Sequence, residues 1–465
     1  MNFEKTVSNK GQDMIIFHSF KYRKFRVLAN QNITWRCSKA TCYAMLETNS
    51  TATAILKTTS DHNHDECSNS KLQKDAVRKV CKKKAVEDLC EKPSKLIRTA
   101  LMSTENTTGL VPSDIVSIRQ CVYEQRRKLL PRIPKCRSEA LEQLKKSSIL
   151  TSRGEQFCFI EDEIVILTCQ QNLDFLSAHC DTLLADGTFY VSPQHFYQLY
   201  TIHAFHDDSY IQLIFCVLPN KETSCYEKMW LKVLSLCKGK LCPKYLILDF
   251  EKAAHVAATK VFPNVQIRGC RFHIGQNWFR QLTNCGLRPA YNSNKSEVGS
   301  WLKLFFGLPF CDPDEVSDAF VEIINIAPRD ERALKFADYI LETYVMEGCP
   351  YPPELWAEKP SLNPRTNNAP ESFHRHLKCE FYCAHPHIHL LIEKLKQFQS
   401  EVYLKIQKMK PKRVTKADKR IEKILKAFNE KYETDIILYL IEIKYICQPS
   451  ILKSKKPILS CTSNK

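Results

Sequence analysis

The strongest constraint on the fold is a change of hydrophobic period that recurs in a fixed order between residues 181 and 272. DTLLADGTFYVS, FYQLYTIHAFHDD and YIQLIFCVLPN are three strand-like runs joined by short polar turns, the pattern of an antiparallel meander. TSCYEKMWLKVLSLC then sets Trp230, Val233 and Leu234 at helical spacing. KYLILDF reads as a fourth strand, EKAAHVAATKVF as a helix and NVQIRGCRF as a fifth strand. Three strands, helix, strand, helix, strand is a mixed α/β order.

The flanking blocks differ in kind. Residues 8–65 are strand-like: KFRVLA, NITWRC, CYAMLET and TAILKTT are short β-branched or aromatic runs between polar turns. Residues 66–150 read as a basic helical block for linking or DNA binding, as in KDAVRKVCKKKAVEDLC and SDIVSIRQCVYEQRRKLLP. The mixed region covers residues 151–400, with mainly helical patterns from about 295. Residues 401–465 read as a helical C-terminal region and tail. The expected class is therefore α+β and multidomain: a small β-rich module, a helical linker block, an α/β core with a helical insertion at about 295–365, and a helical C-terminal region.

Bulk properties narrow the function. A net charge of +17 on 465 residues points to a polyanionic partner, nucleic acid first, with a solubilising surface as the plainer reading. Only 11 Gly argue against glycine-rich phosphate loops. The 22 Cys lie in a long, Lys- and Arg-rich chain with no apolar leader after Met1, so reduced thiols and metal ligands are expected rather than a disulfide framework. No run approaches the roughly 18 apolar residues of a membrane helix, so no membrane partner is expected. KKK at Lys82–Lys84 and KMKPKR at Lys408–Arg413 are candidate nuclear signals or solvated faces.

Two groups of residues carry chemistry. Cys37 and Cys42, followed by His62 and His64, offer two thiolates and two imidazoles, a donor set for one closed tetrahedral structural zinc site; the plainer alternative is unrelated Cys and His in a small β domain. A block of this size has a small core that a metal would stabilise. The second group is acidic. Asp249 ends the buried-looking run YLIL just before a helix, where it is either an N-cap or a placed acid. Asp186 stands mid-strand among Leu183, Leu184 and Ala185, a costly position unless the carboxylate is paired, neutralised or metal-bound. The strand order is that of the ribonuclease H-like fold, in which the first and fourth strands are neighbours. Asp186 and Asp249 would then face each other at bonding distance. Glu371, after Pro370 and a capping Asn367 or Asn368, would project from the first turn of a later helix, either as a third acid or as a plain first-turn glutamate favoured by the helix dipole.

Longer strings carry two resemblances. FHSFKYRKFRVLANQNITWRCSKATCYAMLETNSTATAILKTTSDHNHDE resembles a FLYWCH-type zinc finger in Tyr22, in Trp35 before Cys37, in Cys42 followed by Ala44, and in the terminal HNH. This implies Cys37, Cys42, His62 and His64 as zinc ligands in a DNA- or protein-binding module. Lys21, Arg23, Lys24, Arg26 and Arg36 are candidate phosphate contacts or simply solvent-facing strand positions. Between about 110 and 400, ADGTFYVSP with FYQLYTIHA, then YLILDFEKAA, GCRFHIGQNWFRQL, WLKLFFGLPF and NNAPESFHRHL resemble a DDE transposase of the Mutator-like element (MULE) family. The resemblance implies a ribonuclease H-like core with Asp186, Asp249 and Glu371 as catalytic acids holding two magnesium or manganese ions. It further implies cutting and strand transfer at transposon ends in double-stranded DNA, a nuclear location and, by analogy, a homodimer. The alternative is a captured, catalytically silent transposase acting as a nuclear DNA-binding regulator. Cys270 and His273 form a Cys-x-x-His element that would order the acids' surroundings or contact DNA, with catalysis or metal binding as the further alternatives, since only two ligands are in view. Trp278, with Phe279 and Arg280, would either stack on an unpaired base or fill the helix core.

Overall fold

The computed structural model describes residues 3–8, 12–59, 61–104, 107–293, 295–359, 368–381, 383–408 and 436–447. KMKPKR beyond Lys408, the tail after residue 447 and the capping position Asn367 lie outside the described residues. The chain divides into two compact units, Met1–Arg132 and Ile133–Lys465. The division falls inside the stretch read above as one helical block.

The first unit opens with a six-stranded antiparallel sheet in sequential order: β1 (Glu4–Val7), β2 (Asp13–Phe17), β3 (Phe20–Val27), β4 (Ile33–Cys37), β5 (Met45–Thr48) and β6 (Ile55–Thr58). Period-two alternation on β4 sends Ile33, Trp35 and Cys37 inward, where Trp35 packs with Ile15, Tyr22 and Leu46. Its indole N–H donates to Thr48 Oγ1 at 2.9 Å, so no polar group is stranded. Three helices follow: α1 (Asn69–Glu87), α2 (Pro93–Ser103) and α3 (Pro112–Leu129). Val77, Cys81, Leu96, Ile97, Ile118 and Val122 recur at helical spacing and give these helices a core of their own.

In the second unit, α4 (Arg137–Lys146) precedes the hairpin β7 (Cys158–Glu161) and β8 (Ile164–Leu167), then α5 (Gln170–Ala178). The expected meander is β9 (Thr182–Thr188), β10 (Gln198–His206) and β11 (Ser209–Leu218). Next come α6 (Thr223–Leu236), β12 (Tyr245–Leu248), α7 (Lys252–Val261) and β13 (Gln266–Gly269). The seven strands form one sheet in the order β13-β12-β9-β10-β11-β8-β7. β12 runs parallel to both β9 and β13, and the remaining pairs are antiparallel. The β7–β8 hairpin, which extends the sheet past the meander, has no counterpart in the sequence reading. Its turn residue Asp162 takes φ +50°, a conformation Asp tolerates.

One sheet face carries Leu183, Ala185, Ile202, Leu246 and Leu248 against α5, α6 and α7, with Trp230 at the centre. The opposite face carries Leu184 and Ile247 beside Cys270. The strand YLIL is thus covered on both sides, as its unbroken apolar run predicts.

Helices dominate from there. α8 (Arg271–Asn284), α9 (Arg288–Asn292), α10 (Glu297–Phe305), α11 (Val316–Asn325), α12 (Glu331–Ile340) and α13 (Pro353–Trp356) surround a core containing Trp278, Trp301, Phe305, Tyr344 and Trp356. Trp278 is fully buried there, which settles its role as packing and removes base stacking. α14 (Asn368–Glu380) lies on β9 and β10, and α15 (Ile388–Lys408) on β11. α16 (Ile436–Cys447) adds Tyr439 and Leu440 to the Trp-rich core. α14 starts at Asn368, so Pro370 stands inside its first turn and Asn368 is helical rather than a cap. Among the described residues no helix is long and apolar enough to cross a membrane.

Candidate active site and zinc site

In the first unit, Cys37 closes β4, Cys42 follows a short turn, and His62 and His64 return after β6. Their ligand atoms all lie within 4.8 Å of one another. Cys37 Sγ is 3.2 Å from His64 Nε2, and Cys42 Sγ is 3.4 Å from His62 Nδ1. Two ligands of one tetrahedral zinc stand about 3.5 Å apart, given Zn–S near 2.3 Å and Zn–N near 2.0 Å. The outer nitrogens are already committed. His62 Nε2 meets Tyr22 Oη at 2.7 Å, and His64 Nδ1 meets the Asp65 carbonyl at 2.8 Å. These partners aim the inner nitrogens at the sulfurs, as an outer hydrogen bond orients a metal-binding imidazole. Phe20 stacks on His62 with ring centroids 3.6 Å apart and fixes its plane. The four residues fit a structural zinc ion.

The candidate phosphate contacts divide. Lys21 is half-buried and paired with Asp75 on α1, so its charge is used within the unit. Arg23, Lys24 and Arg26 are exposed along β3. Arg23 is the cross-strand partner of Arg36, which lies with its guanidinium 5.1 Å from the Tyr43 ring. Like charges directly opposite in a sheet destabilise it. An anion laid across this pair would remove that cost.

In the second unit, Ile247 lies beside Leu184 across the β12–β9 pair. Two residues beyond Ile247 and Leu184 come Asp249 and Asp186, which strand alternation puts on the face of Leu184 and Ile247. Asp186 is buried, and its Oδ1 accepts the Gly187 N–H at 2.9 Å. Asp249 is about half exposed, and its Oδ1 accepts the Phe250 N–H at 2.6 Å. The N-cap of α7 is Glu251, two residues later, so Asp249 does not cap the helix. Its backbone is pinned instead: His255 Nε2 donates to the Asp249 carbonyl at 2.6 Å, and Tyr351 Oη donates to the Phe250 carbonyl at 2.9 Å. Gly269 leaves room for the Phe250 ring, since a Cβ there would come within 2.6 Å of it. Glu251 is a structural acid, taking the Tyr226 hydroxyl at 2.8 Å and Lys221 Nζ at 3.0 Å.

Glu371, in the first turn of α14, comes to His273, which also touches Asp249. Burial first, then the charges of Asp186 and Asp249, push its carboxyl up from the ordinary range to about 8. Two imidazoles stand among the acids. His273, in the first turn of α8, has Nε2 3.2 Å from Glu371 Oε1 and Nδ1 3.4 Å from Asp249 Oδ1. His374, one turn after Glu371, has Nδ1 3.3 Å from Asp186 Oδ2 and Nε2 2.9 Å from Thr201 Oγ1. Thr201 Oγ1 also meets His203 Nε2 at 3.0 Å, and burial holds His203 well below the usual imidazole range. The sequence reading missed His374. Its signal was the i, i+3 spacing from Glu371, which puts both residues on one helix face.

The three acids do not reach one another within 4.8 Å as a set; among the described residues the sets that do are the zinc ligands and Cys270, His273 and Glu371. The acids therefore share an electrostatic environment, with histidines between them.

The raised Glu371 carboxyl has a measurable consequence. Below about 4.5 it is protonated whether the chain is folded or not. Between about 4.5 and 8 the folded state holds a proton that the unfolded chain releases, so stability falls as pH rises through that window. In the absence of divalent metal, Glu371→Gln should raise the melting temperature relative to wild type, and the gap should widen from about pH 5 to pH 8. Parallel pH profiles for the two proteins would contradict this account.

No curated protein matches the chain. Residues 182–277 match the family model of the MULE transposase domain, a span that contains Asp186, Asp249, Cys270 and His273. Residues 6–64 match the family model of the FLYWCH zinc finger domain, a span that contains the four zinc ligands. The pair supports a transposase-like, DNA-binding function. The chain thus joins an N-terminal FLYWCH zinc finger to a MULE transposase domain.

Proposed function

We propose that this protein is a DNA transposase that cuts at transposon ends and transfers them to target DNA, with Asp186, Asp249 and Glu371 as its catalytic acids. The observation that supports this reading most is that carboxylates from three separate elements meet two shared histidines, His273 touching Asp249 and Glu371 and His374 touching Asp186, with burial first and then both aspartates raising the Glu371 carboxyl. The order β13-β12-β9-β10-β11, with β12 parallel to β9, supports a ribonuclease H-like core within residues 151–400. Residues 295–365 would be its helical insertion, residues 66–150 a basic linker and residues 401–465 a C-terminal region.

Asp186, Asp249 and Glu371 would together hold two magnesium or manganese ions, a role their donor chemistry supports. All three side chains offer hard oxygen donors, and Glu371 Oε1 is buried without a hydrogen-bond partner. Crowded carboxylates also repel, a conflict that divalent cations remove. When bound, such ions make a nucleophile of water or a DNA 3′-hydroxyl and stabilise the departing oxygen. The chain supplies positioning. β9 holds Asp186 in a fixed strand, His255 and Tyr351 fix the turn that presents Asp249, and α14 delivers Glu371. The finger, through Arg23, Lys24, Arg26 and Arg36, would hold double-stranded DNA. A nuclear location and a homodimer that pairs two ends complete the proposal.

The test is cleavage of a duplex bearing the element's own ends, with wild type beside Glu371→Ala. Magnesium-dependent cleavage by wild type and none by the variant is expected. Tight DNA binding without cleavage by wild type would instead favour a captured, silent transposase serving as a DNA-binding regulator.

A further inference from the structure

The Cys-x-x-His element offers only two metal ligands in sequence, and the fold adds a third. Cys270 precedes α8, His273 lies in its first turn, and Glu371 comes from α14. Their sulfur, nitrogen and oxygen ligand atoms lie within 4.8 Å of one another. Cys270 is fully buried and the other two are largely so.

We propose that Cys270, His273 and Glu371 form a second zinc site, distinct from the finger, whose occupancy withdraws Glu371 from the other two acids. The donor set selects the metal. A thiolate and an imidazole suit a borderline cation such as Zn²⁺ and are poor ligands for Mg²⁺. Three protein ligands leave a fourth position for water, the open pattern of an exchangeable site rather than the closed pattern of the finger. The 3.2 Å between His273 Nε2 and Glu371 Oε1 is close to the separation of two ligands on one zinc ion.

The surroundings point the same way. With Nε2 turned to the metal, His273 Nδ1 faces Asp249 Oδ1 at 3.4 Å, a carboxylate backing of the kind that orients metal-bound imidazoles. His273 Nδ1 and Glu371 Oε1 are buried, and neither makes a hydrogen bond. Zinc ligation would release the Cys270 thiol proton and draw Nδ1–H toward Asp249. Zinc held through Glu371 Oε1 would leave that acid a single oxygen, turned from the other two carboxylates, and would weaken its hold on magnesium. Zinc is therefore an inhibitor of magnesium-dependent cleavage. Zinc binding stands on the geometry alone, whereas the inhibition rests on the transposase reading.

The experiment uses the full chain with the finger already loaded. Titration with Zn²⁺ should show a second equivalent, weakened at least about tenfold in both Cys270→Ser and His273→Gln. Cys37→Ser should retain it. In Co²⁺-substituted protein, the thiolate-to-cobalt band of the second equivalent should vanish in Cys270→Ser and persist in Cys37→Ser. Circular dichroism identifies a variant that fails to fold, and the other variant then carries the test. A second equivalent that is missing from wild type, or bound equally by both variants, overturns the site. Cleavage that continues with the second equivalent bound overturns the inhibition. Wild type that binds two zinc ions but never cleaves with Mg²⁺ overturns the transposase reading and leaves the site supported.

Discussion

Asp186→Ala and Asp249→Asn should each reduce magnesium-dependent cleavage by about a thousandfold or more, while DNA binding persists. The size follows from what is lost. Removing an oxygen ligand, as alanine does, or its negative charge, as asparagine does, misplaces a metal ion whose Lewis-acid effect would be worth several kcal/mol in the transition state. The two substitutions are complementary controls. Asp249 is half exposed and its turn is held through backbone carbonyls, so the asparagine keeps that scaffold and changes only charge. Asp186 is buried beside His374, so its removal also leaves an imidazole short of a partner and should lower stability as well. Parallel cleavage and mobility-shift assays separate the two effects. Cleavage at wild-type rate by Asp249→Asn would remove this residue from the chemistry.

Cys37→Ser should unfold the finger and leave the rest of the first unit standing. Cys37 is buried, and its sulfur is one of two that face the paired imidazoles. Structural zinc sites of this kind contribute roughly 10–16 kcal/mol of apparent binding energy, far more than a sheet built on a few core residues can spare. The helices α1–α3 have a separate core around Val77, Ile97 and Ile118, so they should survive. Hydrogen exchange should therefore show loss of protection across β2–β6, with protection kept in α1–α3. The chain should also release one equivalent of zinc. Protection and zinc content both unchanged would exclude Cys37 as a ligand.

What the sequence disclosed was largely local. Asp186 announced itself because a carboxylate inside LLAD is expensive, and Asp249 because an apolar strand ended on it. The finger ligands were visible because few other residue types combine in that way over so short a span. The contacts that decide the site were not visible. His273 meets Glu371, and His374 meets Asp186, only because α8 and α14 converge on one sheet face. Nothing in RFHIGQ or ESFHRH specifies that meeting. Lys21 looked like its basic neighbours until α1 placed Asp75 beside it. The β7–β8 hairpin was overlooked because two four-residue strands around an acidic turn give little periodicity to read.

The separation of Glu371 from the strand acids along the chain has one more consequence. A product shortened ahead of α14 would keep the finger and both aspartates and lack the third carboxylate. On the proposed transposase reading, such a fragment would keep the finger's hold on DNA and lack an acid needed for cutting. Its accumulation would act as a competing brake on mobilisation, set by the ratio of short to long product.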